Sequence, residues 1–223
     1  MRTRLTDSVH WVECRGVNAY VVDDGETVTL VDTGTPFDGR RIAAALDEMG
    51  HTPSDVDRVL LTHFDLDHVG GFGRIVGLDA PVYVGPADAP LVARRERPRW
   101  TGRKSFSQLL TYPFLDAPTG EVRTVEDGDE IGPFTAYHTP GHTPGHVCYV
   151  SESLGVAFLG DLVREADGEL VPSPWAMSDD TAQVGSSIER LADVAPPFAA
   201  AAMGHGVPFS TGGRDRLRRL VEQ

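Results

Sequence analysis

The sequence predicts an α+β protein in which two β-sheets pack as a sandwich with helices on the outside. A chain of 223 residues suits one domain with a single continuous core. Strand-like apolar runs occur in both halves of the chain, and helix-like patterns separate them. That distribution fits two sheets flanked by helices better than one parallel sheet. We therefore expect residues 1–223 to form a single domain.

The first half begins with a predicted hairpin, in which residues 19–22 and 27–31 flank a polar turn. Apolar residues at helical spacing follow over residues 37–49, and Gly50 ends the pattern. A short apolar strand is then predicted over residues 56–61. The carboxyl end of such a strand is where α/β enzymes usually place their chemistry. The other elements predicted in this half are a short helix up to Val76, a strand over residues 81–84 and a helix from about residue 87.

The second half is predicted to contain four more strands, a long helix, a short strand and a terminal helix. The long helix is expected to begin at Ser178, because serine followed by the acids Asp179 and Asp180 favours a helix amino terminus. In chain order these elements cover residues 121–125, 134–138, 146–150, 155–159, 178–194, 198–203 and 214–221.

The charge of the chain restricts its partners. The formal net charge is −13, from 33 acidic and 20 basic residues, and Lys104 is the only lysine. Self-repulsion of this size disfavours binding to nucleic acid or to an anionic membrane surface. An acidic surface is typical of proteins from a high-salt cytoplasm, and arginine in place of lysine is typical of a GC-rich genome; both interpretations fit this composition.

The sequence pattern at the amino terminus and the two cysteines are typical of a cytoplasmic protein. No apolar run approaches the ~20 residues that a membrane span needs, and the amino-terminal residues lack the apolar stretch of a secretory signal. Cys14 and Cys148 lie far apart and form no C-x-x-C pair, so both are expected to be reduced thiols. We therefore expect a cytoplasmic protein.

Histidine is unevenly distributed, since five of the eight histidines fall in two short segments. In the first segment, four potential ligands follow an apolar strand within six residues. They are His63, Asp65, Asp67 and His68. Imidazole and carboxylate are the ligands that borderline and hard divalent cations prefer, and the absence of nearby cysteine argues against a structural tetrathiolate site. Taken alone, this segment could also be a polar loop with a capping aspartate.

Three further segments strengthen the interpretation as a metal site. His142, Asp161 and His205 each lie beside glycine, after an apolar run or a Pro-Gly turn. Glycine allows the backbone to approach an ion closely. The four segments together predict a catalytic metal centre.

Taken in order, these ligand-bearing segments resemble the metallo-beta-lactamase superfamily. They are His63-x-Asp65-x-Asp67-His68, Gly-His142, Gly-Asp161 and Gly-His205-Gly. The residues around Asn18 and those from Asp32 to Gly34 resemble the opening hairpin of that family, and residues 139–146 are similar to sequences of the glyoxalase II type. The resemblance covers almost the whole chain.

The resemblance implies an αββα sandwich of two mixed sheets, with two divalent cations in a cleft at one sheet edge. One cation would bind His63, Asp65 and His142, and the other would bind Asp67, His68 and His205, with Asp161 bridging the two. The family has histidine at the position of Asp65. Zinc is the expected metal. Iron and manganese are the alternatives, because this exchange adds oxygen and negative charge.

The function implied is hydrolysis of a small ester-type substrate, such as a thioester or a lactone, by a metal-bound hydroxide. Two cations roughly 3.5–4 Å apart would share a water whose pKa falls toward about 7. Asp67 is the predicted catalytic residue, which orients the hydroxide and passes a proton to the leaving group. The alternatives are an iron-dependent redox enzyme, resembling persulfide dioxygenases or the flavodiiron core, and a degenerate domain that binds metal without catalysis.

Two residues outside the ligand set are candidates to orient the ligating side chains through hydrogen bonds. Asp32 could accept a hydrogen bond from the free ring nitrogen of a ligating histidine, and His146 lies four residues beyond His142. The alternatives are that Asp32 belongs to a turn and that His146 simply begins a strand.

Substrate contacts are predicted in residues 85–120, an insertion or lid between the two halves. This segment carries the basic cluster of the chain over residues 94–104. Arg97, Arg99 and Trp100 are predicted to contact an anionic part of a small-molecule substrate, because guanidinium groups suit carboxylate and phosphate. The alternative is a solvated face that pairs with the acidic surface.

Overall fold

Two β-sheets pack face to face in the computed structural model, which describes residues 2–99 and 103–222. The first sheet has seven strands in sequence order. They are β1 (Arg2–Arg4), β2 (Val9–Cys14), β3 (Val17–Asp23), β4 (Val28–Val31), β5 (Arg58–Leu60), β6 (Val82–Val84) and β7 (Val122–Thr124). Pairing is antiparallel from β1 to β4 and parallel from β4 to β7, so the sheet is mixed.

The second sheet has five strands in the order β14-β11-β10-β9-β8. They are β8 (Glu130–Ile131), β9 (Phe134–His138), β10 (Val147–Ser151), β11 (Val156–Gly160) and β14 (Ala200–Met203). This sheet is also mixed, because β14 runs parallel to β11 while the other pairs are antiparallel. A separate hairpin joins β12 (Val163–Ala166) to β13 (Glu169–Pro172).

Six α-helices accompany the sheets in the described part of the chain. They are α1 (Gly39–Asp47), α2 (Leu66–Val69), α3 (Ala89–Val92), α4 (Arg103–Thr111), α5 (Thr181–Val194) and α6 (Gly213–Val221). The longest, α5, has 14 residues. Within the described residues, no helix has both the length and the apolar character needed to cross a membrane.

Three clusters of buried apolar residues separate the four layers. Alternate residues of a strand face opposite sides of a sheet, so in β4 Leu30 packs with Ile42 of α1 while Val31 faces the second sheet. The layer between the sheets includes Tyr149 and Phe158. Beyond the second sheet, α5 and α6 bury apolar residues against β10 and β11. The protein is therefore an αββα sandwich of two mixed sheets, as predicted.

Several element boundaries differ from those predicted. The long helix begins at Thr181 and not at Ser178, because the Asp180 side chain caps it by accepting a hydrogen bond from the Gln183 amide at 3.0 Å. The helix expected from residue 87 spans only four residues in α3, and α4 and the β12–β13 hairpin were not predicted. Cys14 and Cys148 are buried free thiols, as expected.

Candidate metal centre

The predicted ligands meet at one edge of the sandwich. The chain leaves β5 at Leu61 and reaches His63 two residues later, and α2 then carries Asp67 and His68. Asp161 directly follows β11, and His205 follows its parallel neighbour β14. His142 precedes β10, which is antiparallel to β11 and therefore starts at the same edge. A hydrogen bond of 2.8 Å from the Val147 amide to the Thr62 carbonyl joins the two sheets there.

Four of these residues form the Asp67 position, which we define as Asp67, His68, Asp161 and His205. His205 Nε2 lies 3.4 Å from Asp67 Oδ2 and 3.2 Å from Asp161 Oδ2, and His68 Nε2 lies 3.5 Å from Asp161 Oδ1. Ligand atoms around a tetrahedral zinc ion are separated by about 3.4 Å, because each bond is about 2.0–2.2 Å long. His68 Nε2 and Asp161 Oδ1 are buried atoms with no hydrogen-bond partner among the described residues. The Asp67 position therefore fits a divalent cation.

The histidine rings are held through their Nδ1 atoms, so that each Nε2 faces the centre. The Nδ1 partners are Thr62 Oγ1 for His63 at 3.0 Å, Asp32 Oδ2 for His68 at 2.8 Å, Ser173 Oγ for His142 at 2.9 Å and the Gly16 carbonyl for His205 at 2.8 Å. Metal-ligating histidines usually donate the second ring N–H in this way, which leaves the lone pair of the other nitrogen for the cation.

Asp32 supports two of the histidines at once. Its Oδ1 accepts a hydrogen bond from the Thr62 amide and its Oδ2 accepts one from the Thr62 hydroxyl, each at 2.8 Å. The same Oδ2 lies 2.8 Å from His68 Nδ1, and Thr62 Oγ1 in turn holds His63. Asp32 has φ of 57°, in the left-handed region that side chains other than glycine rarely adopt. Such strain is typical of functional sites.

The carboxylates around His68 create a preference for positive charge. Burial lowers the pKa of His68, but the carboxylates of Asp32 and Asp161 outweigh burial and hold that pKa well above its ordinary value. At His205, burial also lowers the pKa, whereas hydrogen bonds to Asp161 and Asp67 raise it to about 10. A bound divalent cation would supply the positive charge that these carboxylates favour.

Asp161 is positioned by backbone contacts on two sides. The Asp161 amide donates to His146 Nε2 at 3.1 Å, and His146 Nδ1 lies 2.8 Å from Thr139 Oγ1. Burial, together with His63 and His142, holds the pKa of His146 well below its ordinary value, so its Nε2 stays free to accept. On the other side, a Cβ at Gly204 would collide with Asp161 Oδ1. His146 therefore lies behind Asp161 rather than among the ligand atoms.

The remaining ligands form the Asp65 position, which we define as His63, Asp65 and His142. Asp65 Oδ2 lies 3.2 Å from His63 Nε2 and 3.2 Å from His142 Nε2. Atoms of His63, His142 and Asp161 also lie within 4.8 Å of one another. All seven predicted ligands are thus brought together, although Asp65 has further partners.

Helix α4 adds two polar residues to the Asp65 position. The Lys104 ammonium forms an ion pair with Asp65 Oδ2 and lies 2.9 Å from His142 Nε2. Gln108 Nε2 donates to Asp65 Oδ1 at 3.1 Å and to the Phe64 carbonyl at 2.7 Å. Burial raises the pKa of Asp65, but the Lys104 ammonium and the neighbouring His142 and His63 outweigh burial and hold that pKa well below its ordinary value. Asp65 is therefore a carboxylate whose charge the protein itself balances.

Sequence reasoning placed Lys104 only in the basic cluster and did not consider Gln108 or Ser173. A signal for Lys104 did exist. An aspartate that replaces a neutral histidine in a buried cluster requires a compensating positive charge, and Lys104 is the only lysine of the chain. Its position relative to Asp65 depends on α4, which the sequence pattern did not predict.

Two of the three predicted substrate contacts lie on an exposed stretch of chain. Arg97 and Arg99 are both exposed, and Arg99 Nη2 lies 3.9 Å from Glu96 Oε2. Trp100 lies outside the described residues. Arg94 has a structural role, because its guanidinium lies 4.1 Å from the ring centre of Tyr112 and donates to the Tyr112 carbonyl. A substrate role for Arg97, Arg99 and Trp100 stays a prediction.

A cleft of about 300 Å³ opens beside the Asp67 position. Its wall includes Asp161 and His205 together with the apolar side chains of Val163, Pro174 and Met177. The candidate metal centre is therefore accessible from this side to a small molecule with an apolar part.

Comparison with known proteins extends these observations. The family model for the metallo-beta-lactamase superfamily matches residues 12–205, a range that contains all seven predicted ligands. Uncharacterized protein YobT of Bacillus subtilis (strain 168) is 27% identical and covers 93% of this chain and 90% of its own length. The Beta-lactamase-like protein 2 homolog of Drosophila melanogaster is 29% identical over 87% of this chain, which spans 63% of that relative. The crystal structure of TTHA1623 in a di-iron-bound form has a TM-score of 0.67 and 29% identity, covering 90% of this chain and 93% of that one.

Proposed function

This chain belongs to the metallo-beta-lactamase superfamily, and from that membership we propose that it is a metal-dependent hydrolase of small ester-type substrates, such as thioesters or lactones. Membership supports metal-dependent hydrolysis in general. The observation that carries the proposal is the Asp67 position, where two imidazoles and two carboxylates lie at ligand spacing beside an open cleft.

The ligand set supports zinc as the metal. Two imidazole and two carboxylate donors suit zinc. The aspartate in place of histidine at residue 65 does not alter this ligand set, because the Lys104 ammonium balances its charge. Asp67, His68, Asp161 and His205 would hold a divalent cation, which would supply Lewis acidity and lower the pKa of a coordinated water toward about 7.

Asp67 is proposed as the residue that moves the proton. Its side chain is 32% exposed, whereas that of Asp161 is 8% exposed. Burial raises the pKa of Asp67, but a hydrogen bond from His205 and the charge of His68 outweigh burial and lower that pKa. Asp67 is therefore ionised at neutral pH, and it can accept a proton from water at the cleft and pass it to the leaving group.

The cleft supports a substrate with an apolar part and an anionic group. Val163, Pro174 and Met177 provide apolar contact beside Asp161 and His205. The exposed Arg164 also lines the cleft, and its guanidinium suits a substrate carboxylate. Thioesters and lactones that also carry a free carboxylate combine these features.

A second candidate function is iron-dependent redox chemistry on the same fold. It is supported by the likeness to TTHA1623, which was crystallised in a di-iron-bound form. The two functions predict different spectra: a hydrolase with zinc is colourless, and iron bound by imidazole and carboxylate gives absorption bands.

The proposal is tested by assaying zinc-loaded protein on thioesters, lactones, β-lactams and phosphodiesters. We expect turnover of a thioester or a lactone, and we expect Asp67→Asn to lower kcat by about 10²–10⁴-fold, the usual contribution of a general acid or base. The matched control is Asp7→Asn, because the Asp7 side chain is 98% exposed and lies outside the centre. Zinc content measured in the same samples separates loss of the cation from loss of the carboxylate. Inactivity of the zinc-loaded wild type on every substrate class would reject the proposal.

A further inference from the structure

A buried lysine lies against the Asp65 position. Lys104 is the second residue of α4, and its side chain is only 4% exposed. A lysine is rarely buried to this extent unless its ammonium is paired. Here the ammonium pairs with Asp65 Oδ2 and lies 2.9 Å from His142 Nε2. Both are atoms that the resemblance assigns to a cation.

The contact with His142 creates a competition for one lone pair. His142 Nδ1 is held by Ser173 Oγ at 2.9 Å, which leaves Nε2 as the ring nitrogen that faces the centre. A neutral imidazole has one acceptor nitrogen, and a metal ligand must use that same lone pair. While Lys104 donates a hydrogen bond to His142 Nε2, that atom cannot also coordinate a cation.

Both oxygens of the Asp65 carboxylate also have partners within the chain. Gln108 Nε2 donates to Oδ1, and the Lys104 ammonium pairs with Oδ2. The negative charge that aspartate brings in place of histidine is thus balanced within the chain. A cation bound about 2.0–2.2 Å from Asp65 Oδ2 and His142 Nε2 would be forced close to an ammonium that already contacts both atoms. The Asp65 position therefore does not fit a cation together with Lys104.

We propose that the Lys104 ammonium takes the place of the first of the two expected cations, so that the protein binds one divalent cation per chain, at the Asp67 position. The inference rests on the metal centre of the proposed function, although it does not depend on which substrate is hydrolysed. His63 Nε2 is buried without a hydrogen-bond partner among the described residues. Removal of the ammonium would therefore leave His63, Asp65 and His142 free to bind a second cation.

Metal counting tests this inference. The wild type, Lys104→Met and Arg99→Met are each saturated with zinc, freed of excess by gel filtration and analysed for zinc and protein. We expect one zinc per chain in the wild type and two in Lys104→Met, because methionine fills much of the same space without the ammonium. Arg99→Met is the matched control, since it removes one positive charge from an arginine whose side chain is 85% exposed. It should bind one zinc.

Two results would overturn the inference: two zinc ions per chain in the wild type, or equal zinc content in the wild type and Lys104→Met. A cobalt(II) titration of the wild type, followed by its d–d absorption, gives the same answer without any variant. Saturation at one equivalent supports the inference, and saturation at two overturns it. A wild type that binds one zinc but hydrolyses no substrate would reject the proposed function and leave this inference standing.

Discussion

Single residues around the centre act by fixing which nitrogen of each imidazole faces inward. Asp32 is central to this, because one carboxylate accepts from the Thr62 amide, the Thr62 hydroxyl and His68 Nδ1. All three of these partners are donors, so both terminal atoms of the side chain at residue 32 must be oxygen. The residue is 3% exposed, and water cannot easily replace a lost partner.

Asp32→Asn is predicted to weaken zinc binding. In either orientation, the amide group of asparagine would point N–H donors at another donor, at Thr62 or at His68. If His68 Nδ1 loses its acceptor, the ring is no longer fixed with the Nε2 lone pair toward the cation. Loss of such a supporting contact typically costs 10–100-fold in metal affinity, so we expect a fall of about that size. Competition with a chromophoric chelator measures it, with Asp7→Asn as the exposed control; unchanged affinity in Asp32→Asn would contradict the role given to Asp32.

The ligand residues were largely accessible to prediction, because each lies beside a glycine or a strand end within a short segment. His63, Asp67 and His68 lie together in sequence, and this density indicates a metal site once His142, Asp161 and His205 are added. Lys104 was not accessible in this way. Its contact with Asp65 joins residues 39 apart in sequence and depends on the packing of α4, which no local pattern encodes.

At the scale of secondary-structure elements, the hairpin of the first sheet holds the loop that carries His205. Asn18 of β3 donates to the Met203 carbonyl at 2.9 Å and to the Gly206 carbonyl at 2.8 Å, and it accepts from Trp11 Nε1 at 2.7 Å. These contacts span the two sheets, so one side chain of the first sheet positions the loop of the second sheet that carries the predicted ligand His205.

Asn18→Ala is predicted to destabilise the protein and to weaken zinc binding. The change leaves buried polar groups without partners, and one such group costs roughly 1–3 kcal/mol. We expect the free energy of unfolding to fall by about that amount, and we expect zinc affinity to fall because His205 is no longer held. Denaturant unfolding and chelator competition measure the two effects. Ser186→Ala, which removes only an exposed hydrogen bond to the Ala182 carbonyl, should change neither quantity; an Asn18→Ala variant equally unaffected would contradict this account.

A second link joins the loop after β5 to the loop before β10. Asp88 is buried, and its Oδ2 accepts from the Phe64 amide at 2.8 Å and from the Thr143 hydroxyl at 2.9 Å. Burial raises the pKa of Asp88 from 3.8 to about 6, against the effect of these hydrogen bonds. The folded protein therefore keeps the proton of the Asp88 carboxyl group at a pH where the unfolded chain has released it.

Asp88→Asn is predicted to reduce the loss of stability on raising the pH from about 4 to 6. In that window the folded wild type binds more protons at Asp88 than the unfolded chain does, so its stability falls as pH rises. A rise of about two pKa units corresponds to roughly 3 kcal/mol. The asparagine oxygen can accept the same two hydrogen bonds but does not titrate. Urea unfolding of both proteins across this range, in the presence of a chelator, measures the difference; parallel curves would contradict it.

Elements with strong local patterns were predictable, and those formed by tertiary contacts were not. Residues 56–61 read as an apolar strand that became β5, and the hairpin of β3 and β4 was recognised from its turn. Helix α4 exposes apolar residues such as Leu110 and buries Lys104. This is the reverse of the usual burial of apolar and charged residues, so a hydrophobic pattern does not reveal the helix. The β12–β13 hairpin is short, and its strand β12 begins two residues after the predicted ligand Asp161.

At the scale of the whole molecule, stability and charge act against each other. The net charge is −13, so the acidic side chains repel one another in the folded state. The carboxylates of the predicted ligands concentrate part of that negative charge at the centre. A bound cation relieves the local repulsion, and dissolved salt relieves the remainder.

The melting temperature is therefore predicted to rise as KCl is increased from low to molar concentration. Screening shortens the range of repulsion from about 10 Å at 0.1 M to about 3 Å at 1 M, which favours the compact state. Differential scanning calorimetry at fixed pH and zinc concentration measures the effect. A melting temperature that stays flat across the series would show that surface repulsion does not limit stability, and it would also remove the support for a high-salt cytoplasm.

Metal-dependent hydrolysis is tested most directly by removing and returning the cation. Wild-type protein is stripped with a chelator until elemental analysis finds no bound metal, dialysed, and assayed on the thioester or lactone that the native protein turns over best. We expect hydrolysis to disappear with the metal and to return when zinc is added back to Asp67, His68, Asp161 and His205. Undiminished hydrolysis by protein shown to be free of metal would contradict the account.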